Sequence, residues 1–188
     1  MGSLKQLLPL GTSTIMGITL DNIMASNADK VIVVVGAMAE ETSKIASRPN
    51  VTVVNNPDYK LGMSTSLVKG IEHISQDAQL VMIALADQPL IKTETYNLLF
   101  NKAEASQKRI AVPVYQSQKG NPIILKHVYL QELKSLKGDV GGRELLLRHP
   151  DDILYVEVDD PGIITNINTP SSYEKIKSEF AKGENWSV

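Results

Sequence analysis

Apolar positions in this chain come in short unbroken runs separated by stretches with helical spacing. Lys30 to Gly36 encloses Val31-Ile32-Val33-Val34-Val35, and Leu80 to Ala86 is apolar throughout before Asp87-Gln88-Pro89. Short runs of this kind, ended by a turn signal, predict strands buried on both faces, as in a parallel sheet. Pro89 has no N–H to give to a ladder, so the second strand is expected to stop at about Asp87. That puts Asp87 at the carboxyl end of a central parallel strand, where open α/β sheets bind their ligands. A plain loop carboxylate, or a cap for the helix near Thr93, is the competing reading of the same residue.

The remaining pattern fills in around these two strands. Thr14 to Ser26, with Ile15, Ile18, Ile23 and Met24, predicts an amphipathic helix, and Ala37 to Ser47 a short charged one. Val51 to Asn55 predicts a strand, Asn56 to Tyr59 a turn, and Ser64 to Ile74 a helix entered through Gly62. After the Leu80 strand come a helix from about Thr93 to Ser106, strands at Arg109 to Tyr115 and Pro122 to Leu125, and a polar hairpin-like connection, Gln116 to Asn121. Val128 to Leu136 and Arg143 to Arg148 predict helices around a Gly138–Gly142 loop, and Ile153 to Val158 a strand. Thr169 is placed as the N-cap and Pro170 as the first residue of a last helix ending at Gly183, with a frayed tail in which Trp186 docks. Strands alternating with helices predict one domain over residues 1–188: α/β, three layers α/β/α, with a mostly parallel sheet. The strand-rich segment 109–158 is the place for an antiparallel excursion.

Composition narrows the chemistry. A formal net charge of −2 gives no long-range attraction to nucleic acid or to anionic lipid. The chain has no cysteine, which removes disulfides, thiolate metal sites and cysteine nucleophiles and fits a cytoplasmic protein. No apolar run approaches the roughly 20 residues of a membrane span, and no signal-peptide pattern is present. The dinucleotide, P-loop and nucleophile-elbow motifs do not occur. His73, His127 and His149 share no ligand spacing and read as surface or helix-end residues.

Besides Asp87, three places hold candidate chemistry. Lys5 is a single cation beside the apolar Leu7, Leu8 and Leu10. Gly62-Met63-Ser64-Thr65-Ser66 lets backbone approach a ligand at a helix start whose free N–H groups suit an oxyanion or a nucleoside edge. Asn166-Ile167-Asn168-Thr169-Pro170 puts polar side chains ahead of a helix cap. Each has a structural reading too: a solvated lysine, capping hydroxyls, and capping by Thr169 alone.

Taken together, these stretches resemble the molybdenum cofactor cytidylyltransferases, within the nucleotidyltransferases of GT-A-like fold. The matching residues are Lys5-Gln6-Leu7-Leu8-Pro9-Leu10-Gly11, Asn56-Pro57-Asp58-Tyr59 with Gly62 to Leu67, and Ala86-Asp87-Gln88-Pro89-Leu90. Lys119-Gly120-Asn121-Pro122, Gly138 to Arg143, and Asp159-Asp160-Pro161-Gly162 with Asn166 to Pro170 continue in the same order. The resemblance implies transfer of CMP from CTP to the terminal phosphate of molybdopterin (the molybdenum cofactor), with release of pyrophosphate. It implies that Asp87 holds Mg²⁺, or Mn²⁺, with Asn168 as second ligand, and that Lys5 neutralises phosphate charge in catalysis and nucleotide binding. Asn56, Gly62, Ser64 and Ser66 would shape the base and ribose site, and Asn121 and Asp139 the pterin side.

Three departures accompany it. Asn168 stands where the family often has aspartate, implying weaker metal attraction, and Asn121 stands where it usually has histidine. The family also opens with a strand and a Gly-containing loop, of which Met1-Gly2 resemble the last two residues. The implied expectation is about 15–20 upstream residues. Without them the Val31 and Leu80 strands would each expose an edge, and the chain is expected to fold marginally and bind CTP poorly. Two rival functions remain open: a nucleotidyltransferase with another phosphate acceptor, such as a sugar or polyol phosphate, and a non-catalytic accessory protein that delivers cofactor to a molybdenum hydroxylase.

Overall fold

A computed structural model of the chain describes residues 4–181; Met1-Gly2, Gly183 and Trp186 lie outside that range. Two parallel strands, β3 (Val31–Val35) and β4 (Val51–Asn55), pair in register, Val31 opposite Val51. They are joined by α2 (Ala39–Ala46) and packed on one face by Met16 and Leu20 of α1 (Ile15–Met24) and by Ala46 of α2. On the other side α3 (Met63–Ile71) approaches closely enough that Gly70 meets Val34.

The second sheet has five strands. β5 (Leu80–Ile83) pairs with β8 (Ile123–Lys126), which pairs with β6 (Ile110–Tyr115); β6 also takes β7 (Gln118–Lys119) and β9 (Ile153–Glu157). The β6/β9 ladder is parallel, whereas β8 runs antiparallel to both of its neighbours. The expected excursion in 109–158 is therefore present, and the sheet is mixed. Gln116 and Ser117, at φ 47° and 65°, make the β6–β7 turn.

Alternation along these strands builds two cores. Ile110, Val112, Ile123, Leu125 and Ile153 face α5 (Leu130–Lys134), α6 (Glu144–Arg148) and the end of α3. Ala111, Ile124 and Val156 face α4 (Thr93–Ala105) through Tyr96, Leu99 and Ala103. Helices on both faces of strands give the three layers the alternation predicts.

The Leu80–Ala86 run differs from expectation in two respects. β5 ends at Ile83, not near Asp87, because its partner strand ends there: Ile83 lies opposite Ile123, and Pro122 before it has no N–H. It is also not a central parallel strand. Its one ladder is antiparallel, and its residues are only half-buried. Among the described residues neither β3 nor β5 has a strand on its other edge. Asp87 therefore sits in a turn four residues past the strand, not on its last residue.

A third cluster ties the amino-terminal segment to the last helix. The short antiparallel pair β1 (Pro9–Leu10) and β2 (Ser13–Thr14) leads into α1, whose N-cap Thr14 accepts from Gly17 N. Leu10 and Ile15 pack with Leu90, Ile167, Tyr173 and Ile176. The latter two lie on α7 (Pro170–Ala181), and Tyr173 donates its hydroxyl to Pro9 O at 2.6 Å. Thr169 caps α7 as expected, accepting from Ser172 N at 3.1 Å.

Candidate active site

Lys5, Asp87 and Asn168 come from three distant segments, and the Leu10–Ile176 cluster is what joins them. Lys5 lies on a 3-10 turn just before Leu8 and Leu10, Asp87 just before Leu90, and Asn168 just after Ile167. Burying Leu10, Ile15 and Ile167 contributes about 1.5–3 kcal/mol each. A partly exposed ion pair contributes about 0–1 kcal/mol. Packing therefore sets the convergence, and the polar contacts follow from it. Lys5 Nζ donates to Asn168 Oδ1 at 2.7 Å and makes an ion pair with Asp87 Oδ2. Asp87 is 8% exposed, Lys5 half-buried and Asn168 exposed, so one cation bridges two oxygens close to the protein surface.

Next to this trio Gln88 is buried and donates Nε2 to Ile163 O at 3.2 Å, while its Oε1 has no protein partner. Ile163 O also accepts from Asn121 N at 3.0 Å. Asn121 is thus tied through the 161–164 turn to the residue after Asp87, and it is not hydrogen-bonded to Lys5 or Asn168. The turn itself is held by Asp160, 1% exposed, whose carboxylate accepts from Gly162 N, Lys92 N and Thr95 Oγ1 at 2.8, 2.9 and 2.6 Å.

The other candidates gather at the start of α3. Gly62 has φ 118°, and a Cβ there would lie 2.4 Å from the Gly138 carbonyl, so only glycine lets the two backbones meet. Ser64 donates Oγ to Gly138 O at 2.7 Å, and Ser64 N reaches the same oxygen at 3.2 Å. Met63 N donates to Asp139 Oδ1 at 3.3 Å, a carboxylate favourably placed at a helix N-terminus. Asn56, fully buried, donates Nδ2 to Thr65 Oγ1 and Ser66 Oγ, both at 2.9 Å. The helix start expected to offer free N–H groups is therefore already engaged by the 138–139 loop. Asn56 holds Ser66, while Ser64 turns to the Gly138 carbonyl. Beside them lies a cavity of about 360 Å³ lined by Asn56, Leu61, Ser64, Val68, Leu136 and Gly138.

The histidines behave as the spacing predicts. His73 and His127 bond backbone carbonyls, and His149 Nε2 meets Glu132 Oε2 at 2.8 Å. That last contact holds the Glu132 carboxyl below its usual range.

Residues that the sequence did not single out hold both groups in place. Gln88 was legible only as the neighbour of Asp87, and Asp160 only as an acid ahead of Pro161-Gly162. The Gly138 carbonyl is a backbone atom and carries no residue-type signal at all.

No three His, Cys, Asp or Glu side chains cluster among the described residues. A divalent cation at the trio would have Asp87 and Asn168 as protein oxygens, which already share the ammonium as a stand-in cation. Mg²⁺ suits such a sparse set, since it binds through one or two carboxylates and completes its shell with water and phosphate. The donors fit the ion.

Lys5, Asp87 and Asn168 thus form a cation-bridged polar cluster beyond a sheet strand on an α/β/α frame. The chain belongs to the MobA-like NTP transferase domain family, whose model matches residues 1–153, and it is a nucleotidyltransferase. It is 22% identical over 183 residues to the molybdenum cofactor cytidylyltransferase of Escherichia coli (strain K12), covering 97% of this chain and 91% of that protein. The crystal structure of Rv0371c from Mycobacterium tuberculosis H37Rv is 26% identical and superposes with a TM-score of 0.80 over 95% of this chain and 90% of that one. Its manganese complex is 24% identical, with a TM-score of 0.78 over 94% and 93% of the two chains. The GT-A-like fold and the family expected from the sequence are thereby met.

Proposed function

We propose that this chain transfers CMP from CTP to the terminal phosphate of molybdopterin bearing molybdenum, with Mg²⁺ as the metal. The observation that carries the reading is Lys5 Nζ held between Asp87 and Asn168, a compact pair of oxygens with a cation at hand. In the reaction an oxygen of the acceptor phosphate attacks the α-phosphorus of CTP, the bond to the β-phosphate oxygen breaks, and pyrophosphate leaves. Negative charge accumulates on the α-phosphate oxygens and the leaving group, so catalysis consists of positioning and charge neutralisation. Lys5 supplies a mobile positive charge to those oxygens. Asp87 and Asn168 would hold the divalent ion, which when bound would draw charge from the triphosphate and orient it.

Gly62 and the Asn56–Ser66 contacts fix the start of α3, and we assign them, with Ser64, to the base and ribose side. Asn121 and Asp139 are assigned to the acceptor side. Support for CTP and molybdopterin comes from the sequence resemblance and from the named Escherichia coli relative. The manganese complex of Rv0371c supports a divalent ion at this centre.

The test is pyrophosphate release from CTP in the presence of the cofactor, for the wild type and Asp87→Ala. The wild type is expected to turn over and Asp87→Ala to lose about a hundredfold or more, the scale of removing a key charge-stabilising group. Equal rates for the two would remove Asp87 from the mechanism, and release from another acceptor alone would replace molybdopterin.

A further inference from the structure

Lys5 occupies the ground that a bound metal would need. Its ammonium donates to Asn168 Oδ1 and is ion-paired with Asp87 Oδ2. These are the same two oxygens that the proposed function gives to the divalent ion, and two cations cannot share them at bonding distance. Asp87 is a buried carboxylate, and among the described residues Lys5 is the cation paired with it. While Lys5 stays, that charge is already compensated, and a bare metal ion must displace the ammonium as well as shed water. Lys5 sits on a short turn and is half-buried on a flexible four-carbon stem, so its head can move without moving the fold.

We propose that Lys5 is an internal counter-ion that keeps free divalent metal out of the site, and that a triphosphate opens it by drawing the ammonium onto its own oxygens. The inference rests on the assignment of Asp87 and Asn168 as metal donors. Lys5 then does two things in order: it closes the cradle in the free protein and binds phosphate in the loaded one. Metal and nucleotide enter together because each removes the obstacle to the other. Asn168 fits this arrangement. As a neutral donor it can bind an ammonium or a metal ion, whereas a second carboxylate there would hold the metal too strongly for one lysine to compete.

The experiment measures Mn²⁺ binding to the full chain without nucleotide, by the loss of the free-ion electron paramagnetic resonance signal. Wild type, Lys5→Met, Lys5→Gln and Asp87→Asn are compared, with circular dichroism confirming that each is folded. Both Lys5 variants are expected to bind Mn²⁺ about tenfold more tightly than the wild type, and Asp87→Asn to bind least. A second readout uses the unaltered protein. Acetylation of Lys5 by acetic anhydride, followed by mass spectrometry, should speed up when Mg²⁺ alone is raised to saturation, relative to Lys44 and Lys69. Folded Lys5 variants that bind Mn²⁺ no better than the wild type, or a Lys5 acetylation rate that metal leaves unchanged, would overturn the proposal. Such a result leaves the enzymatic reading standing if Asp87→Ala still stops pyrophosphate release. Conversely, a wild type that releases no pyrophosphate while its Lys5 variants bind Mn²⁺ more tightly sinks the enzymatic reading and keeps the counter-ion.

Discussion

Replacing Asp160 by alanine tests whether the 161–168 segment is held by a buried carboxylate, as the geometry requires. One oxygen of Asp160 takes two donors, Lys92 N at 2.9 Å and Thr95 Oγ1 at 2.6 Å, and the other takes Gly162 N at 2.8 Å. Each bond to a charged acceptor contributes about 1.5–3 kcal/mol. Removing the carboxylate also removes the cost of burying it, several kcal/mol for an ion taken out of water. The net loss for Asp160→Ala is therefore about 2–4 kcal/mol, near the upper end for single substitutions. For a chain of 188 residues that corresponds to a fall in Tm of about 4–16 °C. Asp160→Asn sharpens the test. With its oxygen towards Lys92 and Thr95, the amide NH2 is turned on the Gly162 N–H, donor against donor, so the expected loss is about 1–2 kcal/mol. Urea unfolding of the three proteins supplies the measurement, with the m-value checked for change. If the alanine variant loses less than about 1 kcal/mol at constant m, the three donors are being satisfied by water, and the carboxylate is not the staple described.

Two further outcomes follow from other parts of the molecule. Gly62→Ala combines a left-handed φ of 118° with a Cβ 2.4 Å from the Gly138 carbonyl, and is expected to cost about 2–4 kcal/mol; a melting temperature equal to wild type would show that the α3–loop contact is loose. Burial, together with its bond to Asp152, pushes the Tyr129 hydroxyl up to about 12. Because the folded value is raised, this contribution to stability is complete below the unfolded value of about 10 and is lost as pH rises towards 12. Thermal melts from pH 9 to 12 (about one unit apart) should fall more steeply for wild type than for Tyr129→Phe, and parallel curves would contradict the assignment.

Much of the site was legible because its chemistry-bearing residues lie in short, strongly marked segments. Asp87 stood out as the acid ending an apolar run before a proline, and Thr169-Pro170 as a helix start that the structure reproduces. Lys5 was a lone lysine with no local signal. Its partners are 82 and 163 positions away, and only the packing of Leu10, Ile15, Leu90 and Ile167 brings them within reach. The start of α3 was read as a place where backbone approaches a ligand through free N–H groups; instead Gly62 lets it approach the 138–139 loop, and Ser64 N and Met63 N go to Gly138 and Asp139. Which of several acceptors takes an N–H is a matter of loop position, and residue type is silent about it.

By itself the sequence determined the local choices: where strands and helices lie to within a few residues, which faces are apolar, and which residues carry charge next to a turn. These depend on side-chain spacing and backbone preference, which are written into neighbouring positions. The tertiary structure decided direction and partnership. β5 was predicted parallel and central from its composition, yet it lies antiparallel to β8 and stops where Pro122 withholds an N–H from the ladder. An apolar run states that a strand will be covered; it does not state by what, because burial is non-directional while hydrogen-bond pairing is not. The same holds for the site. The residues were visible one at a time, and only the folded chain set one ammonium between two oxygens.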